Sequence, residues 1–230
     1  MYFWDPMYLV FALPALLLAF YAQARVRSAY AKYTRTPNQR GVTGLQAARH
    51  LLSLVGLSHL SIEGTPGELS DHYDPRSKTL RLSAGVARQP SVASLSIVAH
   101  EIGHAMQDAE GYAPLRIRSG LVPAVTVGSW VGPILFILGF LMNVPGLAWG
   151  GVAAFAGASV FALVTLPVEF NASQRGMVLL GQSGLLGEAE LKHAKKVLDA
   201  AALTYVAALA QSLSTLLYYV FLLSGMRRRD

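Results

Sequence analysis

The sequence predicts a mostly α-helical membrane protein, with four transmembrane helices and a small extramembrane α+β domain built from a β-hairpin and one histidine-bearing helix. Three observations lead there. Of 230 residues, 53% are apolar and only 14% charged, with a mean hydropathy of +0.41, which lies outside the range of ordinary soluble domains. Three stretches carry no charged side chain over a membrane-spanning length, about 20 residues. The charges that do occur gather in two segments, 25–118 and 169–199, where strand, turn and amphipathic-helix signals also appear.

The first span covers residues 6–24, with "LVFALPALLLAFYA" at its heart. Its flank "MYFWD" has no basic residue and the arginines follow the apolar run, so it does not read as a cleaved signal peptide. Residues 25–118 form the extramembrane domain. Within it, "TGLQAARHLLSLVGL" has Ala47, Leu51, Leu54 and Val55 at helical spacing behind a capping Thr43, and His50 reads as a surface residue. "LSIEGTP" reads as a short strand and turn. "LSDHYDPRSKTLRLS" reads as two strands around Asp74-Pro75-Arg76-Ser77, with Leu80 and Leu82 alternating on the second. Asp71, His72 and Asp74 are read as turn and strand-edge residues rather than as a metal site.

Fifty residues from Ser119 to Val168 contain no Asp, Glu, Lys, Arg or His. They are read as spans 119–142 and 147–168 joined by the turn Asn143-Val144-Pro145-Gly146. A helical extramembrane segment follows at 169–199, then the fourth span at 200–226.

The net charge of +6 follows from this arrangement. Of 19 Lys and Arg, 12 lie in 25–118, four in 169–199 and three in the C-terminal "RRRD". Four spans place the first two segments on one side, which the positive-inside rule makes cytoplasmic. The three C-terminal arginines pull the other way. The charges are scattered without interleaved aromatics, so no nucleic-acid partner is expected. There is no cysteine, hence no disulfide and no thiolate ligand.

The chemistry sits in "IVAHEIGHAMQDAEG" (97–111). On a helix, His100 and His104 stand one above the other and can offer their rings to a single ion. Glu101 is turned by about 100° from His100, within reach of a water on that ion. Catalytic zinc sites divide labour this way: imidazoles hold the metal, one position stays open, and a carboxylate that is not a ligand takes the proton. With six His and seven Glu in the chain, such a pattern arises by chance about 0.005 times. Ser91 after Pro90 caps the helix and Gly111 stops it, with Leu95, Val98, Ile102 and Met106 as an apolar stripe roughly opposite the histidines. Gly103 is expected to leave the ligand face uncrowded.

Two histidines are one ligand short. Glu110, six residues after His104, stands where the metzincin pattern places a third histidine, although position 107 is Gln rather than Gly. Asp199 would suit an intramembrane, site-2-type protease. Glu169 stands where the third span ends and a new helix can begin after Pro167, and its depth and side match those of the histidine helix.

Over nearly its whole length the chain resembles the YugP-type "putative neutral zinc metallopeptidases" of bacterial membranes. The stretches that carry the likeness are "MYFWDPMYL", "LSDHYDPRSKTLRLS", "VAHEIGHAMQDAEGYAPLRIRS", "LPVEFNAS" and "KKVLDAAALTYVAA". The resemblance implies a zincin-like, gluzincin-type site holding one Zn2+ per chain, with His100, His104 and Glu169 as ligands and Glu101 as base. Related gluzincins carry Asp four residues after the ligand glutamate. Here that position is Ser173, with Asn171 nearby, and these are the candidates for orienting a histidine. Tyr205 is favoured over Arg175 and His193 as a transition-state donor. The hairpin, through His72 and Tyr73, is expected to receive a peptide or membrane-protein substrate by β-pairing.

The expected activity is therefore a membrane-surface zinc endopeptidase, a hydrolase embedded in the lipid bilayer. One rival is an intramembrane protease, which would bury the metal helix in the membrane, against the flanking Arg88 and Asp108 and the serines Ser91, Ser94 and Ser96. The other is a non-enzymatic scaffold with a metal-stabilised domain, which would have no use for Glu101.

Overall fold

A computed structural model describes residues 6–226; the flank "MYFWD" and the three C-terminal arginines lie outside the described residues. The described chain is mostly helical: α1 (Pro6–Thr34), α2 (Gly44–Leu54), β1 (Ser61–Thr65), β2 (His72–Asp74), β3 (Thr79–Ser83), α3 (Ala84–Arg88), α4 (Val92–Ala109), α5 (Ala113–Leu141), α6 (Pro145–Ser183) and α7 (Glu188–Met226). Helices α1, α5, α6 and α7 are long and apolar enough to cross a membrane. They leave Leu17, Phe20, Trp130, Leu141 and Leu163 at least half exposed, a surface that hydrocarbon tolerates and water does not.

The chain divides into two compact units. One comprises Met1–Ala22, Arg116–Leu166 and Thr204–Asp230. Its core is Phe136, Ala148, Val152 and Leu223, with the rings of Phe136 and Tyr219 stacked 4.0 Å apart. Between α5 and α6, Asn143 adopts a left-handed φ of 54°, and the Val144 amide reaches back to the Gly139 carbonyl at 2.8 Å. That closes the end of α5 with a Schellman motif, and Pro145, which has no amide hydrogen to satisfy, opens α6.

The other unit comprises Gln23–Leu115 and Pro167–Leu203. Its core packs Leu51, Leu52, Leu80, Leu82, Leu95, Val98, Ile102 and Leu180, none more than 2% exposed. The Thr43 hydroxyl and Gln46 form a reciprocal capping box at the start of α2. In α2 the buried face runs through Ala47, Ala48, Leu51 and Leu52, while Leu54, expected on the stripe, is exposed. The sheet has the order β1-β3-β2: the hairpin pairs antiparallel, and β1 joins β3 in parallel. Buried on both ends and flanked on both sides, β3 is the central strand, and β2 is an edge. Asp71 accepts from the Ser83 amide at 2.7 Å, and Asp74 is held by Arg81 at 2.9 Å. Both carboxylates thus serve the hairpin. Its arginine and turn amides hold Asp74 well below the usual carboxylate range.

Two expectations about helices are corrected. No new helix starts after Pro167, because α6 runs through it unbroken, and α7 likewise continues across residue 199. A single proline removes one backbone donor, and long helices absorb that loss. The second concerns α4, which does not present one apolar and one open face. Ser91, Ser94 and Ser96 are buried with Leu95 and Val98, their hydroxyls satisfied locally, as by the Ser96 bond to the Val92 carbonyl at 2.7 Å. Small residues let neighbours cover this helix almost all round.

Candidate metal centre

Helix α4 begins at Ser91, whose hydroxyl accepts from the Ser94 amide, and ends at Glu110 ahead of Gly111 at φ 66°. Eighteen residues thus fix the rotation that puts His100, Glu101 and His104 where they are. The second wall is the part of α6 beyond Pro167. A Cβ on Gly103 would sit 2.3 Å from the Ala172 carbonyl oxygen, and one on Gly176 would sit 2.8 Å from that of Ala99. Any larger residue would push the two backbones apart. Gly103 therefore does not clear a ligand face, as expected from sequence; it sets the distance between α4 and α6.

That close approach brings three donors together. The Nε2 atoms of His100 and His104 lie 3.2 and 3.5 Å from the Glu169 Oε2. All three ligand atoms fall within 4.8 Å of one another, and this group could hold a metal ion. The donor set fits zinc: with bonds of about 2.0–2.1 Å, tetrahedral ligands stand roughly 3.3 Å apart. The electrostatics agree. Burial by itself would depress the His104 pKa, yet the Glu169 carboxylate against its ring and nearby Glu101 outweigh it and raise the value. A cation is favoured at this spot.

Glu101 is buried, 9% exposed, and its Oε2 accepts the Tyr73 amide at 3.0 Å. Burial raises its pKa above the ordinary carboxylate value, with Glu169 adding to the rise and the two histidines and the Tyr73 amide opposing it. In the antiparallel pair of β2 with β3, Tyr73 faces Leu80. Its amide is thus turned off the free edge of the sheet, toward α4. The ring of Tyr73 is buried, its hydroxyl donating to Asp108 at 2.7 Å, where Lys78 also binds. Burial and that bond push the phenol's pKa up. His72 stays exposed beside it, its Nδ1 against the Ser70 carbonyl.

The rival ligands are elsewhere. Glu110 is exposed and paired with Arg175 at 2.6 Å, and Asp199 is exposed and paired with Lys195 at 2.7 Å. Ser173 Oγ lies 3.1 Å from His100 Nδ1. Asn171 touches neither histidine; it meets Gln107, which stands 3.0 Å from His104 Nδ1. Gln107 escapes a reading of the sequence that tests position 107 only against the metzincin glycine. Its position one turn after His104 was the available signal. His193 packs against Tyr33 in a tilted pair with ring centres 5.0 Å apart, and Tyr205 lies on α7 within the other compact unit.

Residues 8–224 match the family model described as "Putative neutral zinc metallopeptidase". The chain belongs to this family. It is also 40% identical over 216 residues to "Putative membrane protease YugP" of Bacillus subtilis (strain 168), covering 94% of this chain and 96% of the relative. No solved structure matches the chain. Family membership and the four apolar helices make this a membrane protein of a zinc-peptidase family, with His100, His104 and Glu169 able to bind metal.

Proposed function

We propose that this chain is a membrane-integrated zinc endopeptidase that cuts peptide bonds at the membrane surface. The observation that carries the reading is the convergence of His100 Nε2, His104 Nε2 and Glu169 Oε2, with a buried carboxylate, Glu101, on the same helix as the histidines. In this reading the Gln23–Leu115 and Pro167–Leu203 unit is a zincin-like catalytic domain with a gluzincin-type ligand set. Zinc held there supplies a Lewis acid that acidifies water and polarises a carbonyl. Glu101 takes the proton from the attacking water and delivers it to the leaving amine, a task for which a pKa raised toward neutrality is suited. An extended substrate is proposed to dock at the edge strand β2, beside the exposed His72 and the Tyr73 carbonyl, the Tyr73 amide being held by Glu101. An exposed, lysine-paired Asp199 favours this reading over the intramembrane one.

The purified chain is expected to cleave an unstructured protein such as casein, to stop on addition of a zinc chelator, and to resume when zinc is returned. Cleavage indifferent to the chelator would overturn the proposal. Native substrates would then come from comparing membrane proteomes with and without an active copy.

The catalytic side is proposed to be cytoplasmic, with both termini outside, because 16 of the 19 Lys and Arg lie in 25–118 and 169–199. The cysteine-free chain permits a direct check. A single cysteine at the exposed Ser77 should resist an impermeant thiol reagent in cells whose outer membrane is permeabilised, and labelling there would reverse the orientation.

A further inference from the structure

We infer that Gln107 is a positioning residue for the metal centre: it selects the tautomer of His104 and is itself held by Asn171 and Arg175. The inference rests on the metal-binding reading above. Gln107 is completely buried, so each of its polar atoms must find a partner. Its Nε2 lies 2.8 Å from the Val168 carbonyl oxygen, which can only accept. That fixes which end of the amide is nitrogen. The second amide hydrogen goes to Asn171 Oδ1 at 3.0 Å, and the same oxygen accepts from Arg175 Nε at 2.7 Å. Both donors of Gln107 are therefore used, and its remaining Oε1 faces His104 Nδ1 at 3.0 Å. An oxygen there must accept, so Nδ1 carries a proton, and in the neutral ring it is Nε2 that keeps the lone pair, on the side of Glu169 and His100. This is the form of imidazole that can bind a metal.

The chain of contacts continues outward through Arg175 to Glu110, whose Oε1 is 2.6 Å from the guanidinium. It links α4 and α6 through Gln107 and Asn171, next to the glycine contact that sets their spacing. His100 has a different partner, the Ser173 hydroxyl, which can donate or accept and so leaves the tautomer of that ring open. Two histidines of one site are thus held by unequal means, and only His104 has an acceptor that fixes a proton on its Nδ1.

The test measures zinc affinity of the detergent-purified full chain by competition with a fluorescent chelator, alongside the unfolding temperature of the metal-free protein. Gln107→Met keeps the volume and removes every hydrogen bond. It is expected to weaken zinc binding about 10- to 100-fold, the cost usual for losing an outer-shell partner of a ligand. Asn171→Ala tests the same strut from a partly buried position and should also weaken zinc. Asn171→Asp, which keeps an oxygen for both donors, should restore wild-type affinity. Wild-type affinity in both Gln107→Met and Asn171→Ala, whatever the change in unfolding temperature, reduces Gln107 to a packing residue and overturns the inference. A wild-type chain that binds no zinc overturns the metal reading and this inference with it.

Discussion

Glu169→Ala is expected to abolish zinc retention and peptide hydrolysis together. The carboxylate is 2% exposed and its Oε2 faces the Nε2 atoms of both His100 and His104. Burying a lone carboxylate costs several kcal/mol, and a dication between it and the two imidazoles offsets that cost. Without it two imidazoles remain, too few for tight zinc. The loss in affinity should exceed the roughly 100-fold upper end for an outer-shell partner, because a ligand itself is removed. Glu169→Gln, which keeps the shape and deletes the charge, should fall in the same direction and separates lost ligation from a packing defect. Metal analysis of the purified variants gives the answer. Glu110→Ala and Asp199→Ala should keep their zinc, since both carboxylates are exposed and face Arg175 and Lys195 instead. Zinc retained in Glu169→Ala but lost in either of the others would move the third ligand.

Glu101→Gln should do the opposite, keeping the metal and losing the reaction. The amide oxygen of a glutamine can still accept the Tyr73 backbone bond, so the hairpin stays docked on α4. What disappears is the basic oxygen. General acid–base groups contribute about 100- to 10,000-fold to rate, and hydrolysis should fall by that factor at unchanged zinc content. Assaying metal and cleavage on one preparation keeps the two effects apart. An active Gln variant would remove Glu101 from the chemistry, and a metal-free one would make it a ligand rather than a base. The pair of variants therefore assigns two buried carboxylates to two different tasks.

How much of this was legible beforehand depended on how local each feature is. His100, Glu101 and His104 lie within five residues, and helical spacing alone aligns them once Ser91 caps the helix and Gly111 follows its end. The four apolar helices declare themselves because crossing a bilayer requires about 20 consecutive residues without charge, and the left-handed Asn143 marks the turn between two of them. The hairpin around Asp74–Ser77 is equally local, since alternation of Leu80 and Leu82 is a period read within one strand.

The remaining features depended on which distant segments meet. By sequence alone Glu110, Glu169 and Asp199 stood as rival ligands, and family resemblance rather than residue pattern preferred Glu169. The close packing of α4 on α6, allowed by Gly103 and Gly176, puts its carboxylate against both imidazoles. The same packing turned Gln107 from a residue that fails a motif into a partner of His104. Sequence determined the helix that offers two histidines and a neighbouring glutamate, because hydrogen bonding within a helix acts over four residues. Tertiary structure decided which carboxylate joins the two imidazoles and which residues partner the rings. Contacts between residues some 65 positions apart depend on backbone distance, which no pattern along one segment contains.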